Sequence, residues 1–100
     1  MITRIEMLLN SYKILIKKET NQYYCQINDK NCILSDEDID NLIRIIRNWE
    51  HTYQNNNLIE RNINYIKIIS EEQEYNYIFN NKFPNNFTQL LDYLRGIYAR

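Results

Sequence analysis

His51 is the only histidine in the chain and the first candidate for a general base. A base needs an acid or a nucleophile converging on it within hydrogen-bond reach. Helical spacing puts His51 one turn beyond Arg47, on a polar side shared with Asp40 and Arg44. No Ser-His-Asp or Cys-His grouping is recognisable in the local sequence. Asp36, Glu37, Asp38 and Asp40 set acids close together, as a calcium loop does. Such a loop carries glycine at its sixth position and glutamate at its twelfth. Counted from Asp36, those positions are Asn41 and Arg47. The acids suit a helix start instead, where the dipole favours negative charge. Cys25 and Cys32 have neither C-x-x-C spacing nor further zinc ligands. They read as small buried hydrophobes, with a disulfide between them as the alternative in a secreted setting. Gly96 is the sole glycine, which rules out a glycine-rich phosphate loop. No catalytic, metal-binding or cofactor-binding residue is assigned, and a non-enzymatic role is expected.

Basic residues cluster only at Lys17-Lys18 and on the Arg44/Arg47/His51 side. Neither cluster is interleaved with aromatics in the manner of single-strand binders, so a nucleic acid is not the expected partner. The aromatic content is more informative, with nine tyrosines against three phenylalanines and one tryptophan. Tyr23 and Tyr24 are neighbours on an expected strand and must point to opposite faces. If helices cover one face, one of the two rings lies on the other. Tyr75 and Tyr77 share a face with Phe79, and Ile78 takes the opposite one. Tyrosine offers rigid, amphipathic contact area and is enriched at interfaces. Tyr23, Tyr24, Tyr75 and Tyr77 are therefore the candidate partner-binding residues, and burial in the core is the alternative for each.

These residues need a scaffold, and 100 residues with 44% hydrophobic and 25% charged side chains suffice for one domain with one core. A net charge of −1 argues against a nucleic-acid mimic and against a general binder of phosphate backbones. One glycine and one proline leave no flexible or proline-rich linker. Ile and Asn are the commonest residues, the bias of an A+T-rich genome, which accounts for Asn55, Asn56 and Asn57. Residues 1–11 contain Arg4 and Glu6 and lack the apolar run of a secretory signal. No stretch approaches the ~20 apolar residues of a membrane span. A cytoplasmic setting is the expectation.

Along the chain, residues 1–11 are expected to form an N-terminal extension, with Ile2, Ile5, Leu8 and Leu9 spaced for a short helix and a strand as the alternative. Alternation predicts strands over 12–18 and 23–27, with a short third at 32–34. Ser35 followed by Asp38 is close to a capping box, and Leu34 with Ile39 forms a hydrophobic staple. Ile39, Leu42, Ile43, Ile46, Trp49 and Tyr53 then recur at helical spacing, which predicts a helix over 36–53. A polar connector covers 54–62, strands cover 63–70 and 74–80, and Pro84 precedes a helix carrying Phe87, Leu90, Leu91, Leu94, Ile97 and Tyr98. The expected fold is α+β: an antiparallel sheet from two ββα-like halves, 12–53 and 63–100, with two helices packed on one face. Residues 12–100 form the single domain.

The order of elements carries a resemblance. A hairpin leads to the capped helix at Leu34-Ser35-Asp36-Glu37-Asp38. Asn64-Tyr65-Ile66-Lys67-Ile68 and Tyr75-Asn76-Tyr77-Ile78-Phe79 then precede Phe83-Pro84 and the Leu90-Leu91-Tyr93-Leu94 helix. Over residues 12–98 this pattern resembles the emfourin family, small bacterial proteins whose known member inhibits a thermolysin-like metalloprotease. Where that family tends to carry glycines in its first hairpin, this chain has Thr20-Asn21-Gln22. The expectation is a small protein-binding module: an inhibitor, an immunity protein or a phage counter-defence factor. The alternatives are a structural homo-oligomer pairing through an exposed strand edge and a small-molecule or nucleotide sensor with an aromatic pocket.

Overall fold

The computed structural model describes residues 1–54 and 63–100. The chain is α+β, with the elements β1 (Ile2–Leu9), β2 (Tyr12–Glu19), β3 (Gln22–Ile27), β4 (Lys30–Leu34), α1 (Asp36–Ile46), β5 (Thr52–Gln54), β6 (Asn64–Ser70), β7 (Glu74–Asn80) and α2 (Phe87–Tyr98). The strands form one seven-stranded sheet in the order β4-β3-β2-β1-β6-β7-β5. Apart from Gln54, which ends β5, the expected connector 54–62 lies outside the described residues.

The N-terminal segment departs most from expectation. Residues 2–9 are neither an extension nor a helix but a central strand of the sheet, antiparallel to β2 on one side and to β6 on the other. Ile2, Ile5, Leu8 and Leu9 fit a helical stripe, but Ile5, Met7 and Leu9 also recur with period two, and these are the residues buried. In so short a run, local spacing does not separate the two periods. Pairing partners on both sides decide for the strand. A register shift between Ile2 and Arg4 returns Ile2 to the core side.

α1 begins as expected. The Ser35 side chain accepts from the Asp38 amide at 3.1 Å, and the Asp38 carboxylate accepts from the Ser35 amide at 3.0 Å. The helix ends at Ile46 and does not continue to residue 53. Trp49 and Tyr53 keep helical spacing from Ile46 but reach the core by another route. Trp49 sits in a turn after the helix and packs its ring edge-on to Phe79, with centroids 5.8 Å apart. Tyr53 lies in β5 and stacks on Phe79 at 5.7 Å. β5 runs parallel to β7, so the sheet is mixed and not wholly antiparallel. The second half is β6-β7-α2, whereas the first has β2, β3 and β4 before α1, with β5 after it. β1 joins the halves by pairing with both.

Cross-strand register places every buried strand residue on one face. Ile5 stands opposite Ile16 and Ile68, and Met7 opposite Ile14 and Ile66. Ile39, Leu42 and Ile46 of α1 and Phe87, Leu90, Leu94 and Ile97 of α2 complete the same cluster. An aromatic knot of Trp49, Phe79, Phe83 and Phe87 closes one end, with Phe83 and Phe87 centroids 4.4 Å apart. The Trp49 indole N–H donates to the Asn86 side-chain oxygen at 2.7 Å, and Asn86 makes no capping bond to α2.

The asparagine bias suits the turns. Asn10, Asn28 and Asn81 have φ of 54°, 52° and 57°, a left-handed backbone that asparagine tolerates better than most residues. Thr20 takes the same conformation, φ 57°, in the turn between β2 and β3. A β-branched residue is strained there. Thr20→Asn is expected to stabilise the fold by about 0.5–1 kcal/mol, raising Tm by roughly 2–8 °C in a calorimetric scan. An unchanged or lower Tm would count against strain at this turn.

Candidate protein-binding surface

Helices cover one face of the sheet. The other face is built from the residues that alternate with the core. Strand register lays them out in three rows. Ile33, Tyr24, Lys17, Arg4, Ile69 and Glu74 form the first. Asn31, Gln26, Leu15, Glu6, Lys67 and Asn76 form the second. Lys13, Leu8, Tyr65, Ile78 and Thr52 form the third.

Apolar side chains gather at two opposite corners. Tyr24 and Ile33, directly paired, are 43% and 55% exposed. Tyr65 and Ile78, also directly paired, are 37% and 40% exposed, with Ile63 beside them at the chain entry to β6. Half-buried Leu8 and Leu15 lie between the corners. At the centre, the Arg4 guanidinium donates to Glu6 Oε1 at 2.7 and 3.0 Å. Lys17 stands opposite Arg4, and Lys67 opposite Glu6. Neither lysine forms an ion pair among the described residues.

The four tyrosines singled out from the sequence do not converge. Tyr24 is on the open face. Tyr23 points to the core side and is 4% exposed, and its hydroxyl donates to the Ile2 carbonyl at 2.8 Å, holding the start of β1. Burial pushes the Tyr23 phenol up, helped by the charges of Asp36 and Asp40. Tyr77 is buried against His51, with ring centroids 4.9 Å apart, and its phenol too is raised by burial. Tyr75 is exposed but on the helix side, at the rim of a groove of about 540 Å³ floored by Ile43, Ile46 and Ile68, with Arg47 at its edge. Tyr65 and Ile33, missed as surface residues, are legible in the alternation of β6 and β4 once Ile66 and Leu34 are assigned to the core.

His51 lies near β7. Its Nδ1 is 2.9 Å from the Asn76 carbonyl, and its own carbonyl accepts from the Ile78 amide. Among the described residues no cluster of three or more His, Cys, Asp or Glu side chains is placed to hold a metal ion.

A part-buried polar cluster joins α1 to the chain end. Asp38 is 6% exposed. Arg100 donates to both its oxygens at 2.7 and 2.8 Å, and the Tyr93 hydroxyl donates to Oδ1 at 2.8 Å. Asn41 in turn donates to Tyr93 Oη at 3.0 Å. The Arg100 guanidinium, chiefly, holds the Asp38 carboxyl well below the usual carboxylate range, against the opposing effect of burial. Both Asp38 oxygens are occupied, so the arrangement anchors the C-terminal helix and leaves no free base.

No described helix is long and apolar enough to cross a membrane. Comparison of the chain with family models, curated proteins and solved structures gave no match.

Proposed function

We propose that this chain acts by binding another protein through the open face of its sheet, without chemistry of its own. The observation that carries the reading is the pair of exposed corners, Tyr24/Ile33 and Tyr65/Ile78, on the face that no described helix covers. Tyrosine is enriched in binding hot spots, and the neighbouring Ile33 and Ile78 extend the apolar area around each ring. Lys17 and Lys67 between the corners favour a partner that sets carboxylates among its own apolar groups. Such a module works by occlusion, which suits an inhibitor, an immunity protein or a counter-defence factor, and the resemblance of its element order to that of emfourins favours the inhibitor among these. The free thiols Cys25 and Cys32 suit a cytoplasmic setting.

The test is affinity capture from source lysate, repeated with Tyr24→Ala plus Tyr65→Ala and with Tyr75→Ala. Hot-spot tyrosines are worth about 2 kcal/mol each or more. The double variant is therefore expected to weaken a stoichiometric partner by at least tenfold at unchanged Tm, and Tyr75→Ala to leave it bound. Equal capture by all three would remove the open face as the binding surface.

A second reading rests on β4, an edge strand whose Ile33 is exposed. Such an edge can pair with that of a second copy. Light scattering separates the readings: a mass that doubles over micromolar concentrations supports self-pairing, and a constant monomer mass removes it.

A further inference from the structure

Cys25 and Cys32 lie directly opposite each other in the β3–β4 ladder. Residues so placed in antiparallel strands have Cα atoms about 4.5–5.5 Å apart, inside the roughly 4.4–6.8 Å that a disulfide spans. Sharing a register position, both side chains project from the same face of the sheet. Both cysteines are free. They differ in access: Cys25 is 2% exposed, whereas Cys32 is half-buried on the edge strand.

We propose that Cys25 and Cys32 form a reversible intramolecular disulfide, a thiol-oxidation site that clamps edge strand β4 to β3, with a low-molecular-weight disulfide as the oxidant. The inference does not rest on the protein-binding reading. Cys32, the accessible thiol, reacts first. Its thiolate attacks one sulfur of the oxidant, forms a mixed disulfide and expels a thiolate that takes up a proton. Cys25 then loses its proton and attacks Cys32 Sγ, expelling the second small thiol. Two protein thiols are oxidised, and one small disulfide is reduced to two thiols. The second step is the slow one. In the free dithiol, burial first and then the charge and hydrogen bond of Cys32 push the Cys25 thiol up to about 12; in the mixed disulfide the Cys32 contributions are gone, and burial still holds the Cys25 thiol up. At neutral pH its thiolate fraction is small and grows about tenfold per pH unit.

The experiment treats the folded chain with excess oxidised glutathione between about pH 7 and 9, quenches with acid and reads the intact mass. The expected course is a single glutathionyl adduct on Cys32 that converts to a species lacking two hydrogens, about tenfold faster per pH unit, and reverts with dithiothreitol. Cys25→Ser stops at the adduct, and Cys32→Ser stays unmodified over the same period. A wild-type adduct that never closes at any pH, a doubly modified chain or a disulfide-linked dimer would overturn the proposal. The wild-type pH series decides the matter even if a serine variant fails to fold.

Discussion

Glu6→Pro is expected to leave the chain largely unfolded at 37 °C, and removal of residues 1–9 to abolish folding altogether. Glu6 sits in the middle of β1, opposite Leu15 of β2 and Lys67 of β6. A strand paired on both sides has its amides in one ladder or the other, so proline deletes a bond wherever it stands. Deleting a ladder bond and leaving its buried partner unsatisfied costs about 1–3 kcal/mol, and proline is otherwise confined to edge strands and bulges, so the loss is a large part of the roughly 5–15 kcal/mol that holds a domain of this size. The Glu6 side chain lies on the open face, so the substitution removes no core contact. Glu6→Ala is the control. It breaks only the partly exposed Arg4–Glu6 pair, with side chains 38% and 28% accessible, and such pairs are worth at most about 1 kcal/mol. Thermal melts followed by circular dichroism separate the two variants. A proline variant melting cooperatively within a few degrees of wild type would mean that residues 1–11 are peripheral after all.

Asp38→Asn is expected to destabilise the fold by about 2 kcal/mol, the next largest effect. The carboxylate accepts from Ser35, Tyr93 and Arg100 at once. The amide removes the charge, offers one acceptor in place of two and turns a donor towards Arg100. Losing one member of a fully buried pair typically costs about 3–5 kcal/mol. The Arg100 side chain is 48% exposed and can rehydrate, which places the expectation below that range, between it and the at most about 1 kcal/mol of an exposed pair. The pH dependence has a definite sign. Asp38 is depressed in the folded state, so the unfolded chain takes up the proton first as pH falls. Its contribution is fully present above the ordinary aspartate value of about 3.9 and is lost as pH falls towards the folded value. Denaturant titrations should show wild-type stability falling more steeply than that of Asp38→Asn below about pH 4, the two differing by a constant amount near neutrality. Parallel curves across the acid range would contradict a depressed Asp38.

Features that are local in the chain were legible in the sequence. Ser35 and Asp38 announce α1 because a capping box is complete within four residues, and Phe87, Leu90 and Leu94 announce α2 by period alone. Features set by distant partners were not. β1 is a strand because β2 and β6 flank it, and the period-two set Ile5, Met7 and Leu9 within residues 2–9 does not by itself outweigh the helical spacing of Ile2, Ile5, Leu8 and Leu9. Trp49 and Tyr53 extend the helical stripe of α1 on paper, yet the Phe79 ring draws both into a turn and a parallel edge strand. Arg100 is the main partner of Asp38 across 62 positions of sequence, with no spacing to betray it. Tyr23 and Tyr24 show the same limit at the candidate surface. Alternation requires one of them to face outward, but only the register against Lys17 and Ile33 selects Tyr24.

The surface claim is tested most directly by hydroxyl-radical footprinting of the captured complex beside the free chain. Tyr24, Tyr65, Tyr75 and Tyr98 are all exposed in the free chain, at 43%, 37%, 39% and 43%, so each reports its own face. If the open face of the sheet is the binding surface, the partner slows oxidation at Tyr24 and Tyr65 and leaves Tyr75 and Tyr98 unchanged. Protection at Tyr75 or Tyr98, with Tyr24 and Tyr65 oxidised as in the free chain, would contradict the account and move the partner to the helix side.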